Sequence, residues 1–233
     1  MQKLGQYIQY VFQDPLSSLN PRRTIKASVE APLKALPNLK EQDRVERIKQ
    51  AFKDVSLRDE FLDRYPHEFS GGQAQRIGLA RSLVAKPKIL ILDEPVSALD
   101  VSVQAQVLNL LSDIKEKNGL TYLFISHDLA VVEAVSDRVA VFYFGSLVEI
   151  GPAKVIFKSP KHPYTQLLAE SAPIVGKPLY HSDKEQELPD PLNPPSGCAF
   201  ASRCPRASVQ CQKSAPNLSQ QGEGHFVACY SPL

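Results

Sequence analysis

The sequence predicts an α/β protein with an at least partly parallel sheet, followed by an irregular C-terminal appendage. Short aliphatic runs, ILIL at 89–92 and LTYLFIS at 120–126, alternate with stretches whose apolar residues recur three and four apart. Each run is short, bounded by charged or turn-forming residues, and reads as a strand rather than a helix. Composition then shifts near residue 150: 12 of the 19 prolines follow Gly151, and all four cysteines follow Pro195.

In chain order, residues 7–13 (YIQYVFQ) predict a first strand that runs into the turn formers DPLSSLNP. Between Leu39 and Val55 the apolar positions Val45, Ile48, Phe52 and Val55, with charges between them, predict an amphipathic helix. Residues 73–84 repeat that pattern through Ile77, Ala80 and Val84. No strand pattern lies between Asp14 and Val84, so residues 14–86 are expected to form a helical lobe. Asp100 stands at an N-cap position before Val103, Val107, Leu110 and Ile114. LTYLFIS reads as a second buried strand, and Leu129, Val132 and Val135 mark a short helix. RVAVFY and SLVEI, joined through Gly145, predict a hairpin. The expected domains are residues 1–150 and an extension, 151–233.

Hydrophobic residues make up 43% of the 233 and charged residues 22%, which is ordinary for a soluble globular protein. A net charge of +2 gives no argument for a nucleic-acid partner. No apolar stretch approaches the ~20 residues of a membrane helix, and the first 14 residues lack the apolar core of a signal peptide. A cytoplasmic placement is expected, with docking on a membrane protein left open.

The chemistry concentrates in a few places. ILIL ends in Asp93 and Glu94, and paired carboxylates at the end of a buried strand need a cation or a proton to manage them. Ser70-Gly71-Gly72-Gln73 opens into a helix, where backbone N–H groups and the helix dipole favour an anion. Alone, a Gly-Gly pair is more often a plain loop. About 20 residues separate this segment from the acids, the layout in which Asp93 holds magnesium through water and Glu94 polarises the attacking water of a phosphoryl transfer. His127 closes the next strand and Gln13 the first, each unremarkable by itself.

In order, Gln13, Ser70 to Gln73, Asp93-Glu94, Ser97 to Asp100 and His127 resemble the Q-loop, signature, Walker B, D-loop and H-loop of an ABC transporter's nucleotide-binding subunit. The segments VFQDPLSSLNPR, RYPHEFSGGQAQRIGLARSL, DEPVSALDVSVQAQVLNLL and GLTYLFISHDLAVV resemble the oligopeptide and dipeptide importer branch, nearest to its second ATPase subunit. HPYTQLL, LPDPLNPPSGCAF, RCP and HFVAC resemble the appendage of that branch, so the likeness covers almost the whole chain.

This resemblance implies an ABC-type P-loop NTPase fold, a RecA-like core with a helical subdomain. It implies ATP and Mg2+ as ligands and coupling of ATP hydrolysis to peptide uptake. Gln13 would sense metal and water, Ser70 to Gln73 would cradle the γ-phosphate held by the opposite subunit, and Asp93 would position magnesium. Glu94 would act as base, His127 would steady the γ-phosphate, and Asp100 would bridge the subunits. A second ATPase subunit, two permease subunits and, indirectly, an extracytoplasmic peptide-binding protein are the implied partners, at the inner face of the membrane.

The pattern departs from the family at one point. No G-x-x-x-x-G-K followed by Ser or Thr precedes Gln13, and Gly5 is the only glycine before Gly71. The expectation is a fold incomplete at its N-terminus, without Walker A and with negligible hydrolysis alone. The alternatives are a non-hydrolytic interaction or metal-binding protein and, ranked last, a DNA-repair ATPase, whose long coiled-coil insertion is absent here. Cys198, Cys204, Cys211 and Cys229, in a chain that should need no disulfides, suggest a four-thiolate site, 4Fe–4S in preference to zinc. Four reduced, unliganded thiols are the plainer possibility.

Overall fold

The computed structural model describes residues 2–36, 39–171, 190 and 192–233. The chain divides into two compact units, Met1–Asp128 and Leu129–Leu233.

The first unit is built on a three-stranded parallel sheet of β1 (Ile8–Val11), β2 (Ile89–Asp93) and β3 (Thr121–Ile125), in the order β1-β2-β3. Tyr10 pairs opposite Ile91, and Asp93 opposite Ile125. Strand β1 is shorter than the sequence pattern suggests. Helix α1 (Gln2–Tyr7) occupies its expected start. At its far end Asp14 draws the chain into a turn, its carboxylate accepting from the N–H groups of Leu16 (3.0 Å) and Ser17 (3.2 Å).

Three helices follow β1. Helix α2 (Ile25–Lys34) starts at Thr24, whose hydroxyl accepts from Ala27 N–H at 3.3 Å, and buries Ile25, Val29 and Leu33. It lies within the helical lobe expected from the sequence, although the sequence pattern marks no individual helix there, and it contains Pro32 in its last turn. Helix α3 (Glu41–Asp54) buries Ile48, Ala51 and Phe52, and Val45 from its predicted apolar stripe is exposed. Helix α4 (Gly71–Leu83) packs against both, with Ala74, Ile77, Leu79 and Ala80 fully buried.

Helix α5 (Val101–Asn118) links β2 to β3. Asp100 caps it as expected, accepting from the N–H groups of Ser102 (3.1 Å) and Val103 (3.0 Å), and Gly119 ends it in the left-handed conformation at φ 61°. The sequence reading has strand β3 buried in a complete sheet, and expects it to present an unpaired edge and an exposed apolar face where the N-terminal part of the fold is lacking. Strand β3 is an edge strand, with Leu123 and Ile125 55% and 43% exposed while Leu90 and Leu92 of central β2 are fully buried.

The second unit opens with α6 (Leu129–Val135). It contains a four-stranded antiparallel sheet in the order β4 (Arg138–Tyr143), β5 (Ser146–Pro152), β7 (His225–Val227) and β6 (Ser219–Gly222). The hairpin of β4 and β5 turns through Gly145 as the sequence pattern suggests. Its core joins Val139, Val141, Tyr143 and Val148 to Ile156 of α7 (Ala153–Lys158) and to Phe200. Tyr164 of α8 (Pro163–Ser171) packs its ring 5.4 Å from that of Phe200. The composition shift near 150 and the division at 128 thus mark different things, since the hairpin before the shift shares a core with residues beyond it.

Glu149 on β5 is fully buried, and its oxygens are met by Lys161 N–H (2.7 Å), His162 N–H (2.9 Å) and the His225 ring (2.7 Å). Three partners let a carboxylate stay buried at tolerable cost. His162 is buried too, which pushes its pKa down to about 4 and keeps its ring neutral. Helix α9 (Val209–Lys213) completes the unit. Among the described residues no helix is long and apolar enough to cross a membrane.

Candidate functional site

The residues singled out in the first unit fall into two groups. The first lies at the carboxyl ends of the parallel strands, where ligands of open α/β sheets bind. Here Gln13, beyond β1, donates from its amide to Glu94 Oε2 at 2.5 Å, and the His127 ring meets Glu94 Oε1 at 2.8 Å. The Glu94 carboxylate is therefore held at both oxygens, from the ends of two different strands.

Its backbone is constrained as well. Glu94 sits at φ 45°, in the left-handed region that non-glycine residues rarely adopt. Its N–H donates to Ile125 O (2.9 Å), and its carbonyl accepts from Ser97 N–H (3.3 Å) and Oγ (3.1 Å). The hydrogen bond with His127 holds the Glu94 carboxyl below its ordinary pKa and raises that of His127. Asp93 stands apart from this pair. One of its oxygens, Oδ2, accepts from the Tyr10 hydroxyl at 2.5 Å, and this bond raises the Tyr10 pKa.

The second group is the start of α4. Ser70 is its N-cap residue, with its N–H donating to Gln73 Oε1 at 3.1 Å. The N–H groups of a helix's first turn have no partner within the helix, which gives this end its affinity for anions. It opens into a groove of about 570 Å³ lined by Ser70 to Gln73, Arg58, Arg76, Leu99 and Asp100. Asp100 is thus both the cap of α5 and part of the groove wall. Gly72 is needed for close packing, because a Cβ there would come within 2.7 Å of Val103 Cγ1. None of Gln13, Asp93, Glu94 and His127 lines this groove.

The sequence reading missed Tyr10. An apolar-looking strand residue 83 positions away from Asp93 gives no sign of contact until strand pairing and register are known.

The four cysteines do converge. Cys198, Cys204, Cys211 and Cys229 line one enclosed cavity with His162, Phe200 and Arg206. Cys198 N–H donates to Cys211 O at 2.8 Å, and at Gly197 a Cβ would collide with that same carbonyl at 2.2 Å. The cavity measures about 10 Å³, room for about one water at most. Among the described residues no group of three or more His, Cys, Asp or Glu side chains is placed to hold a metal ion. Cys211 Sγ is engaged by Ser208 N–H (3.4 Å) and Oγ (3.3 Å). All four cysteines are free, and burial raises the pKa of Cys198, Cys204 and Cys229.

Comparison with known proteins places this geometry in context. Residues 1–97 match the family model described as ABC transporter, and residues 148–211 match the model for the oligopeptide/dipeptide transporter C-terminal region. The chain is 50% identical to the oligopeptide transport ATP-binding protein OppF of Salmonella typhimurium, over 95% of this chain and 68% of that one. It is 48% identical to the dipeptide transport ATP-binding protein DppF of Haemophilus influenzae, over 96% of this chain and 69% of that one. Among solved structures, cbiO1 of Clostridium perfringens, part of the ABC transporter complex cbiONQ, aligns with a TM-score of 0.61 at 30% identity, over 67% of this chain and 61% of that one. The dimeric ATP-binding cassette MJ0796, bound to ADP and Pi in a post-hydrolysis state, aligns with a TM-score of 0.57 at 27% identity, over 65% of each chain.

Proposed function

This chain belongs to the ABC transporter family, among the ATP-binding subunits of the oligopeptide/dipeptide type, and from that premise we propose that it couples ATP binding and hydrolysis to peptide uptake. The observation that carries the reading is the Glu94 carboxylate, held by Gln13 and His127 at the strand ends beside Asp93.

In this reading Glu94 orients the water that attacks the γ-phosphorus, and its lowered pKa keeps it ionised at neutral pH. Gln13 and His127 fix the direction in which it accepts the water's proton. Asp93, a hard oxygen donor, suits a magnesium ion taken up through water; when bound, that ion neutralises charge building on the phosphate oxygens. Ser70 to Gln73 offer a helix N-terminus to the γ-phosphate of a nucleotide carried by an opposing subunit, and Asp100 lies on the same wall. The proposed setting is a second ATPase subunit and two permease subunits, with an extracytoplasmic peptide-binding protein acting through them. The chain would then sit peripherally on the inner face of the membrane.

A second reading follows from one observation. No G-x-x-x-x-G-K-[ST] occurs in these 233 residues, so they supply no lysine of that motif to the β- and γ-phosphates. The 233 residues alone are then a nucleotide-contacting, non-hydrolytic component. The test is Glu94→Gln in the reconstituted importer. Peptide-stimulated hydrolysis should fall by about two orders of magnitude or more with nucleotide still bound. An unchanged rate overturns the first reading, and turnover by the purified chain with Mg2+ overturns the second.

A further inference from the structure

We propose that Tyr10 is a positioning residue for Asp93, its hydroxyl fixing the carboxylate in the orientation in which it takes a divalent cation. This rests on the reading of Asp93 as the cation-facing acid. Strands β1 and β2 are parallel and in register, and Tyr10 lies opposite Ile91. Side chains two residues apart on a strand share a face, so Tyr10 and Asp93 stand on one side of the sheet. The phenol reaches along that face to Asp93 Oδ2 at 2.5 Å, the short end of the range for a hydroxyl on a carboxylate.

The reach starts from a fixed base. The Tyr10 ring packs 4.6 Å from that of Phe12, and its backbone carbonyl accepts from Ser82 Oγ at 3.3 Å. A phenol donates one hydrogen bond from a rigid ring. It therefore pins the carboxylate plane through one oxygen and leaves the other without that bond. A carboxylate already pinned loses less freedom when a cation arrives. The two adjacent acids then have separate holders: Gln13 and His127 keep Glu94, and Tyr10 keeps Asp93.

The experiment titrates the purified chain with Mn2+ and follows paramagnetic broadening of the amide resonances of residues 92–95. Tyr10→Phe and Tyr10→Met keep apolar contact and remove the donor. Both should weaken the site about tenfold, the lower end for partners that orient a metal ligand, and Asp93→Asn should abolish the local broadening. Either Tyr10 variant staying within about twofold of the wild type, with Asp93→Asn still deficient, overturns the role of Tyr10 and leaves Asp93 standing. Wild-type broadening that is absent, or that survives Asp93→Asn, overturns both. Carboxyl 13C shifts of Asp93 in the metal-free protein should move in both Tyr10 variants, and an unmoved signal counts against the hydrogen bond itself.

Discussion

Replacing Gly72 by alanine tests the packing between the N-terminal end of α4 and helix α5. The added Cβ would lie 2.7 Å from Val103 Cγ1, about 1 Å inside the best carbon–carbon separation of roughly 3.5–4.0 Å. Valine in a helix is nearly confined to one χ1 rotamer, so its methyl cannot swing aside. Overpacking of this kind costs about 1–3 kcal/mol, and alanine for glycine in a helix returns at most about 1 kcal/mol. The net loss should be about 1–2 kcal/mol. Gly71 is the internal control, because a Cβ there meets only Leu99 Cδ2 at an ordinary 3.6 Å. Gly71→Ala should be neutral or slightly stabilising. Urea denaturation followed by circular dichroism reads both, and with a slope of about 1–3 kcal/mol per molar the midpoints should separate by about 1 M. Adding Val103→Ala to Gly72→Ala should recover stability, with a coupling of about 1 kcal/mol. Equal midpoints for the two glycine variants, or strict additivity in the double variant, refute the steric account.

Asp100→Ala should destabilise α5 by about 0.5–2 kcal/mol, and Asp100→Asn should keep most of the cap, as judged by the same denaturation. Nuclear magnetic resonance titration of His127 should give a pKa above its ordinary 6.5, and Glu94→Gln should return it toward that value. The sign follows from the pair. The imidazolium's contribution is complete below 6.5 and fades as pH rises through its raised pKa. The carboxylate's is complete above 4.5 and fades as pH falls through its lowered one. An unmoved His127 in Glu94→Gln would refute the coupling. Glu149→Ala leaves two backbone N–H groups and the His225 ring without their acceptor, and should cost about 3–5 kcal/mol in thermal or urea unfolding.

Much of this was legible in the sequence, and the parts that were not share a cause. ILIL, the Asp100 cap and the hairpin at Gly145 are local patterns, and local chemistry decides them. The order of Gln13, Asp93-Glu94 and His127 is also legible, although not that both Gln13 and His127 grip Glu94. Helix α2 lies unmarked inside the expected helical lobe, and it holds despite Pro32 because Ile25, Val29 and Leu33 are buried. The exposed face of β3 depends on its place at the edge of the sheet, and the link from Tyr10 to Asp93 on register between distant segments. The cysteines are the reverse case: spacing foretold that they matter together, but the size of the cavity they close depends on Phe200, His162 and the backbone at Gly197.

Helix α4 has a further property. Its first residues line the groove of Ser70 to Asp100. On its later turns, Gly78 lets Pro15 come to a would-be 3.4 Å, and Arg81 grips Ser18 at both carbonyl (2.8 Å) and hydroxyl (3.1 Å). The segment after Gln13 is therefore riveted along the shaft whose tip lines that groove. Close-packed interiors shift as pieces rather than stretch. Any displacement of that tip drags the 15–18 turn with it, as a boom carries its rigging.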